Sequence, residues 1–403
     1  MSARDPRILV IVLVVWLMFS HRTLAQGEGP AVPNSSQDSA PSVSPTNVLT
    51  NPRDLLRKMN DRGLSFQGLV VYDWSKALIR DEDSEGGFGR YSLDLSMPVD
   101  GKKLFGLQGS AGMVRLKHHM HNFGEVYDGA AQLFSNIDAA SRTTLYEVWF
   151  EQRLSSDKYR LKVGKIDANT EFAAVQTAGD FLNSSMGYSP TIVAFPTYPE
   201  PKLGLNAFAH SRRNYGLGFG VFQTAGRGIM SILEPSHSWN LGQSEHPGRA
   251  SFGYWRLDGK LPAVGKGYAS GTQGFYSVLE QSIWLQSLGQ QEVRRLSGFV
   301  QAGWAEGRVS SFTHHLGGGA VLQGPFRKRS QDGIGVAATW VRFSSQPAAG
   351  FNLPGELTVE TYYKVAINRH VALAPDFQFL HHPGGLLVHP DCPVITPRLV
   401  VSF

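Results

Sequence analysis

The sequence predicts an all-β chain, a transmembrane antiparallel β-barrel preceded by a signal peptide and a short leader. Three observations predict it. Short runs of period-two alternation fill the chain from about residue 66 to its end. Clusters of Gly, Pro, Asn and Asp separate those runs. The chain also opens on an export signal.

The signal is justified first. Arg4 and Arg7 form a positive start, and Ile8 to Phe19 is an apolar run. Thr23-Leu24-Ala25 supplies small residues at a cleavage site before Gln26. The apolar run is too short for a spanning helix, which needs ~20 residues. Residues 1–25 are therefore expected to be a signal peptide. Residues 26–51 are rich in Ser, Pro, Asn and Gln and cannot bury a core. In PRDLLRKMNDRG, Pro52 suits a first helical turn, Leu55, Leu56 and Met59 share a face, and Gly63 can stop the helix. Residues 26–62 thus form a disordered linker plus a short helix, and 63–403 the barrel.

Composition excludes other classes. One cysteine, Cys392, allows no internal disulfide, so backbone pairing and burial must stabilise the exported chain. The net charge is +5. The signal holds Arg4, Arg7 and Arg22 against Asp5, which leaves about +3 for the rest. Beyond Arg327-Lys328-Arg329, read as a loop, there is no dense basic run, so no nucleic-acid partner is expected.

The strand pattern is cleanest in ELTVETYYKVAINR. Leu357, Val359, Thr361, Tyr363, Val365 and Ile367 fall on one face, and Glu356, Thr358, Glu360, Tyr362, Lys364 and Asn368 on the other. In YGLGFGVF, Tyr215, Leu217, Phe219 and Val221 face one way and Gly216, Gly218 and Gly220 the other. In VRLKHHMHNF, Val114, Leu116 and Met120 alternate with Arg115, Lys117, His119 and His121, and His118 breaks the apolar series. The last run places Leu399, Val401 and Phe403 opposite Arg398, Val400 and Ser402.

A soluble sandwich would bury the apolar faces, whereas a membrane barrel turns them to lipid and lines a lumen with the polar ones. Aromatic residues near strand ends suit interfacial girdles. Opposite charges on one polar face, such as Glu360 and Lys364, suit a wet lumen. The terminal Phe403 resembles the usual last residue of bacterial outer-membrane barrels. About 14 to 17 runs can be counted, and the even strand number of such barrels makes 16 the expectation.

Several segments, in order, resemble the carbohydrate-selective porins of the OprB family, across almost all of residues 63–403. They are YEVWFEQRL with YRLKVGKIDANTEFA (146–173), FLNSSMGYSPTI with PTYPEPKLG (181–204), GFYSVLEQSIW (274–284), GPFRKRSQDGIGVA (324–337), ETYYKVAINRHVALAPDFQFLHHPGG (360–385) and the closing strand. The resemblance implies a 16-stranded outer-membrane barrel and passive, selective uptake of mono- or oligosaccharides. It implies no cofactor and no catalysis. Thr396-Pro397 departs from the family pattern, and because proline cannot donate to the ladder, the last strand is expected to begin at Arg398 or sit beside a bulge. The basic loop 327–329 and the pairs His314-His315 and His381-His382 are read as features of this member.

A sugar-selective lumen needs charged and amide groups to replace water, aromatic planes for ring faces, and binding weak enough for release. The pore-lining candidates are Glu147, Trp149 and Glu151 on one strand, with Arg160 and Lys162 across the turn and Tyr159, Leu161 and Val163 toward lipid. Glu280 and Trp284 share a face, as do Glu356, Glu360 and Lys364. For Trp149 and Trp284 an interfacial girdle is the alternative. Residues 181–201, too long and Pro-rich for a hairpin, are expected to fold into the lumen as the constriction, with Asn183, Ser184, Ser185 and Tyr188 as polar contacts. An external loop is the alternative there.

Other chemistry is weaker. His119 and His121 share a face but lack a Cys or carboxylate at ligand spacing, so no metal is expected and they read as solvated lumen histidines. Ser155-x-x-Lys158 lies at a strand turn rather than on a helix. The expected partners are carbohydrate, outer-membrane lipid and the barrel-insertion machinery, which would read the strand ending at Phe403. A homo-oligomer is possible from class alone. The alternatives to a selective porin are a general porin, a barrel enzyme, or a non-transporting barrel in polymer export or adhesion.

Overall fold

The computed structural model describes residues 52–78, 87–121, 129–211, 213–226, 228–242, 246–287 and 293–403. The signal and the linker to residue 51 lie outside them. Helix α1 (Pro52–Asp61) opens the described chain, and Gly63, at φ 91°, ends it by turning into the barrel.

The strands are β1 (Gln67–Ala77), β2 (Phe88–Asp100), β3 (Ser110–His121), β4 (Arg142–Leu154), β5 (Tyr159–Ile166), β6 (Lys202–His210), β7 (Tyr215–Gln223), β8 (Ile229–Leu241) and β9 (His246–Asp258). After β10 (Leu261–Pro262) and β11 (Tyr268–Ala269) come β12 (Thr272–Ser287), β13 (Val293–Ala305), β14 (Phe312–Gln323), β15 (Gly333–Phe343), β16 (Gly355–Ala366), β17 (Val371–His381) and β18 (Cys392–Ser402). All but β10 and β11 form one closed antiparallel barrel in which each strand pairs with its sequence neighbours and β1 closes against β18. That is the expected 16-stranded barrel. β10 and β11 pair with each other inside the β9–β12 connection.

The apolar face points outward on most strands. Leu161, Val163, Leu217, Phe219, Val336 and Val359 are exposed on the outer wall, as hydrocarbon contact requires. Short turns lie at the rim that holds α1 and Phe403, and the long connections lie at the other. Barrels of the outer membrane turn short connections to the periplasm and long ones outward.

The closing strand corrects the expected late start. β18 begins at Cys392, not Arg398. Pro397 is tolerated because it faces Pro375 of β17, and the β1 ladder skips from Arg398 to Ile395 around it. At the same seam the Phe403 ring lies over Gly68, where a Cβ would overlap the ring.

Three bulges break period two. One sits at Tyr146, between the pairs Arg115–Glu147 and Leu116–Leu145, and it turns both Tyr146 and Glu147 inward. A second sits at Ile283, between Ser282 and Trp284, and a third at Thr313, between Phe312 and His314.

The barrel interior is filled on one side. Residues 167–201, which include α2 (Ser184–Gly187), fold into it from the long-loop rim. Their Phe172, Ala173 and Ile192 pack on inward Phe222, Met230, Ile232, Trp255 and Leu257 of β7–β9. Val175, Phe181 and Met186 pack on Val278, Phe299, Ala337 and Tyr362. The inner face of these strands is therefore partly apolar, and the loop completes a dry core against it.

Candidate functional site

Irregular backbone inside a barrel must find hydrogen-bond partners, because buried amide groups without them are costly. Inward carboxylates from the wall supply these partners. Glu147 accepts from the Asp167 amide (3.1 Å), Glu234 from Ala173 (2.9 Å) and Glu280 from Thr177 (2.6 Å). Glu360 accepts from the Leu182 amide and from Asn183 (3.0 Å). Gln301 donates to the Ser185 and Met186 carbonyls (2.7 and 2.9 Å).

A second inward segment, 129–141, is held in the same way. Glu356 accepts from the amides of Ala131 (2.7 Å), Gln132 (2.8 Å) and Gly384 (2.7 Å). Gln378 donates to the Phe134 carbonyl (2.8 Å). Asp73 and Arg398 form a buried two-pronged pair (2.7 Å each) that also takes Ser135 (2.7 Å) and Asn136 (2.8 Å). In this segment burial holds the Asp138 carboxyl above its usual range despite nearby Arg90.

The other side of the lumen, β2–β5, is built differently. Its inward side chains alternate in charge from rim to rim. Arg142 meets Glu200 at 3.4 Å at the long-loop rim. Below it, Lys117 reaches Asp94 (3.2 Å) and lies over the Tyr146 ring at 4.3 Å. Arg115 bridges Glu147 (2.8 Å) and Asp94 (3.5 Å). Lys162 lies 3.9 Å over the Trp149 ring and pairs with Glu171. Arg160 binds Glu151 (3.0 Å) and Glu171 (2.6 Å), with its guanidinium 4.0 Å over the Phe208 ring. Arg153 ends the series against Glu151 (3.0 Å). Each cation is held between a carboxylate and, in three cases, an aromatic face.

The sequence-predicted residues divide between the two sides. Glu147, Trp149, Glu151, Arg160 and Lys162 converge on the charged wall. Glu280, Glu356, Glu360 and Asn183 lie on the loop-filled side and are engaged by the loops. Asn183 also caps α2 by accepting from Ser185 (3.0 Å). Lys364 faces inward and binds Asp180 at 2.6 Å. Tyr188 packs against Phe195, and burial pushes its hydroxyl up to about 12.

Trp284 is a correction. The Ile283 bulge shifts it off the Glu280 face and places it outward opposite Leu296, 40% exposed. His119 is a second correction: it is buried beside Tyr198, 5.6 Å between rings, and not solvated. His315 is buried between Ser189 (3.1 Å) and Thr339 (2.9 Å), while His381 binds Asp391 (2.8 Å). Ser155 to Lys158 form the tight β4–β5 turn, with three residues at positive φ. Among the described residues no three His, Cys, Asp or Glu cluster as a metal site.

The sequence reading missed Glu171, Asp94, Arg115, Lys117, Tyr146 and Phe208 as members of the charged wall. Arg115 and Lys117 were visible as the polar face of β3. Glu171 belongs to the inward loop, so no strand period marks it.

The model of the carbohydrate-selective porin, OprB family, matches residues 92–403. The chain belongs to that family. The OprB structure of Pseudomonas putida at high pH is similar in fold, with a TM-score of 0.77 at 16% identity, over 86% of this chain and 96% of that one. The low-pH structure of the same protein matches with a TM-score of 0.57 at 17% identity, over 91% and 100%. A loop-deletion form of OmpT from Vibrio cholerae gives 0.53 at 6% identity, over 85% and 100%. No curated protein sequence matches the chain. Family and fold make this OprB-family porin a channel of the outer membrane.

Proposed function

We propose that carbohydrates cross this porin by passive diffusion along the charged wall of β2–β5. The observation that carries the reading is the rim-to-rim series of paired cations over aromatic rings. Each pair offers hydroxyl groups donors and acceptors that replace water, and Trp149 and Phe208 offer planes to the apolar faces of a pyranose. Because every cation already has a carboxylate, the wall is close to neutral and favours an uncharged, hydroxyl-rich solute over an ion. The inward loops narrow the passage and hold the solute against this wall. Export through the periplasm, insertion by recognition of the strand ending at Phe403, and lipid contact along the outer wall complete the reading.

The test is single-channel conductance of the refolded protein in a planar bilayer with glucose and maltooligosaccharides titrated in. Current that falls saturably with sugar is the expected result. An open channel indifferent to sugar would leave a general porin, and a silent barrel would leave a structural role.

A further inference from the structure

A cavity of about 380 Å³ lies between the inward loop and the short-turn rim, on the side of the lumen away from β2–β5. Gln176, Thr177 and Asp180 of the inward loop roof it. Arg295, Ser297, Val321, Gln323 and Lys364 form its wall, and Gln331 and Asp332 its floor. Its volume is at the small end of ligand pockets, the size class of one sugar ring.

The chemistry of the lining selects a ligand class. Two cations, Arg295 and Lys364, and two carboxylates, Asp180 and Asp332, stand among its lining. Lys364 is already neutralised by Asp180 at 2.6 Å. Asp332 is already occupied by Arg329, by the Tyr363 hydroxyl (2.6 Å) and by the Ala366 amide (3.0 Å). A metal cation finds no uncompensated carboxylate there, and the one charge left over is the Arg295 guanidinium. What remains open are three amides, two hydroxyls and the Arg295 guanidinium. The Nε–H of Arg295 is buried and finds no acceptor among the described residues. A buried donor without a partner is costly, and an acceptor arriving in the cavity would relieve that cost. Val321 supplies the one apolar patch, suited to the C–H face of a ring.

We infer that this cavity is a second saccharide subsite on the periplasmic side of the inward loop, taking one hexose unit with a ring or hydroxyl oxygen on the Arg295 guanidinium. The inference rests on the reading that the lumen carries sugar. It gives the pore two stations: the charged wall, and this one beneath the loop that Glu280 and Glu360 hold in place.

The experiment counts glucose-binding components in the current noise of the refolded full chain, with glucose added from either side. Wild type is expected to show two components. Ser297→Trp fills the cavity and is expected to remove one of them. Gln323→Ala, which removes an amide without filling space, is expected to weaken that same component several-fold. Trp149→Leu should weaken the other. Two components untouched by Ser297→Trp and Gln323→Ala, or a single component lost only in Trp149→Leu, would overturn the subsite and leave the charged-wall reading standing. No glucose component from either side would overturn both. Heat-modified mobility of each variant on a gel reports that the barrel has closed.

Discussion

The two sides of the lumen use the same residue types for opposite ends. On the β2–β5 side, Glu147 and Glu151 of the wall and Glu171 of the inward loop face Arg115, Arg160 and Lys162, and side chain answers side chain. On the far side, Glu234, Glu280, Glu356 and Glu360 face backbone amides of the inward segments. Glu147 does both. The difference teaches that an inward-facing carboxylate in a barrel is not by itself a ligand for solute. Where a loop without regular structure enters the lumen, its amide groups need acceptors, and the wall provides them. On β2–β5 the carboxylates hold cations in place, and Glu171 of the inward loop completes the Arg160 and Lys162 pairs.

The largest effect is expected at the barrel seam. Asp73 is fully buried, and Arg398 is its main cation. Arg398→Met should lower stability by about 3–5 kcal/mol, because it leaves a buried carboxylate unpaired. Urea unfolding in lipid vesicles measures it, and the double change Asp73→Leu with Arg398→Met should recover part of the loss. A single change no worse than the double would show that the pair is hydrated.

Next comes Glu360→Ala, which removes the acceptor of two loop amides. It is expected to cost about 3 kcal/mol, the scale of charge-assisted hydrogen bonds left unmade. The loosened loop should also raise single-channel conductance. Conductance and stability both equal to wild type would erase the distinction between the two walls.

A smaller effect is expected on the charged wall itself. Trp149→Leu keeps an apolar side chain against the neighbouring core but removes the ring that lies under Lys162. Sugar block should weaken about fivefold, or about 1 kcal/mol, the scale of one aromatic or cation–ring contact. Unfolding should shift far less than for Glu360→Ala. The same loss of sugar block in Glu280→Gln would mean that the loop-anchoring side also binds solute at that point.

These contrasts also show what was legible in the sequence. The faces of β5 and β16 followed period two without interruption, so Arg160, Lys162, Glu360 and Lys364 could be assigned inward from spacing alone. The entry of the inward loop followed from its length and prolines. The roles of Glu280, Glu356 and Glu360 were not legible, because an anchoring carboxylate and a solute-binding one obey the same strand period. Their partners are amides far away in the chain, and amides carry no residue identity. The apolar inner face of β7–β9 was hidden for a related reason. Trp255, Leu257 and Met230 look lipid-facing until something is known to fill the lumen. Pro397 misled because the ladder's gap at that position depends on its neighbours, not on β18 itself.

The smallest expected effect is the most diagnostic of register. Unbroken alternation would put Trp284 beside Glu280 in the lumen, and only the extra residue Ile283 turns it to the outer wall near the periplasmic rim. Tryptophan at that depth gains from an interface in which its ring is apolar and its N–H is wet. Trp284→Leu should therefore leave sugar block unchanged, while quenching by a brominated phospholipid should fall as the ring is removed. Deleting Ile283 should keep the assignment. The ladder past Ser282 then runs without its bulge, Trp284 follows inward-facing Ser282 directly and still pairs with Leu296 on the outer wall, and the quenching persists. If Trp284→Leu alone weakened sugar block as Trp149→Leu does, the bulge would lie elsewhere and the inner face of β12 would extend to the rim.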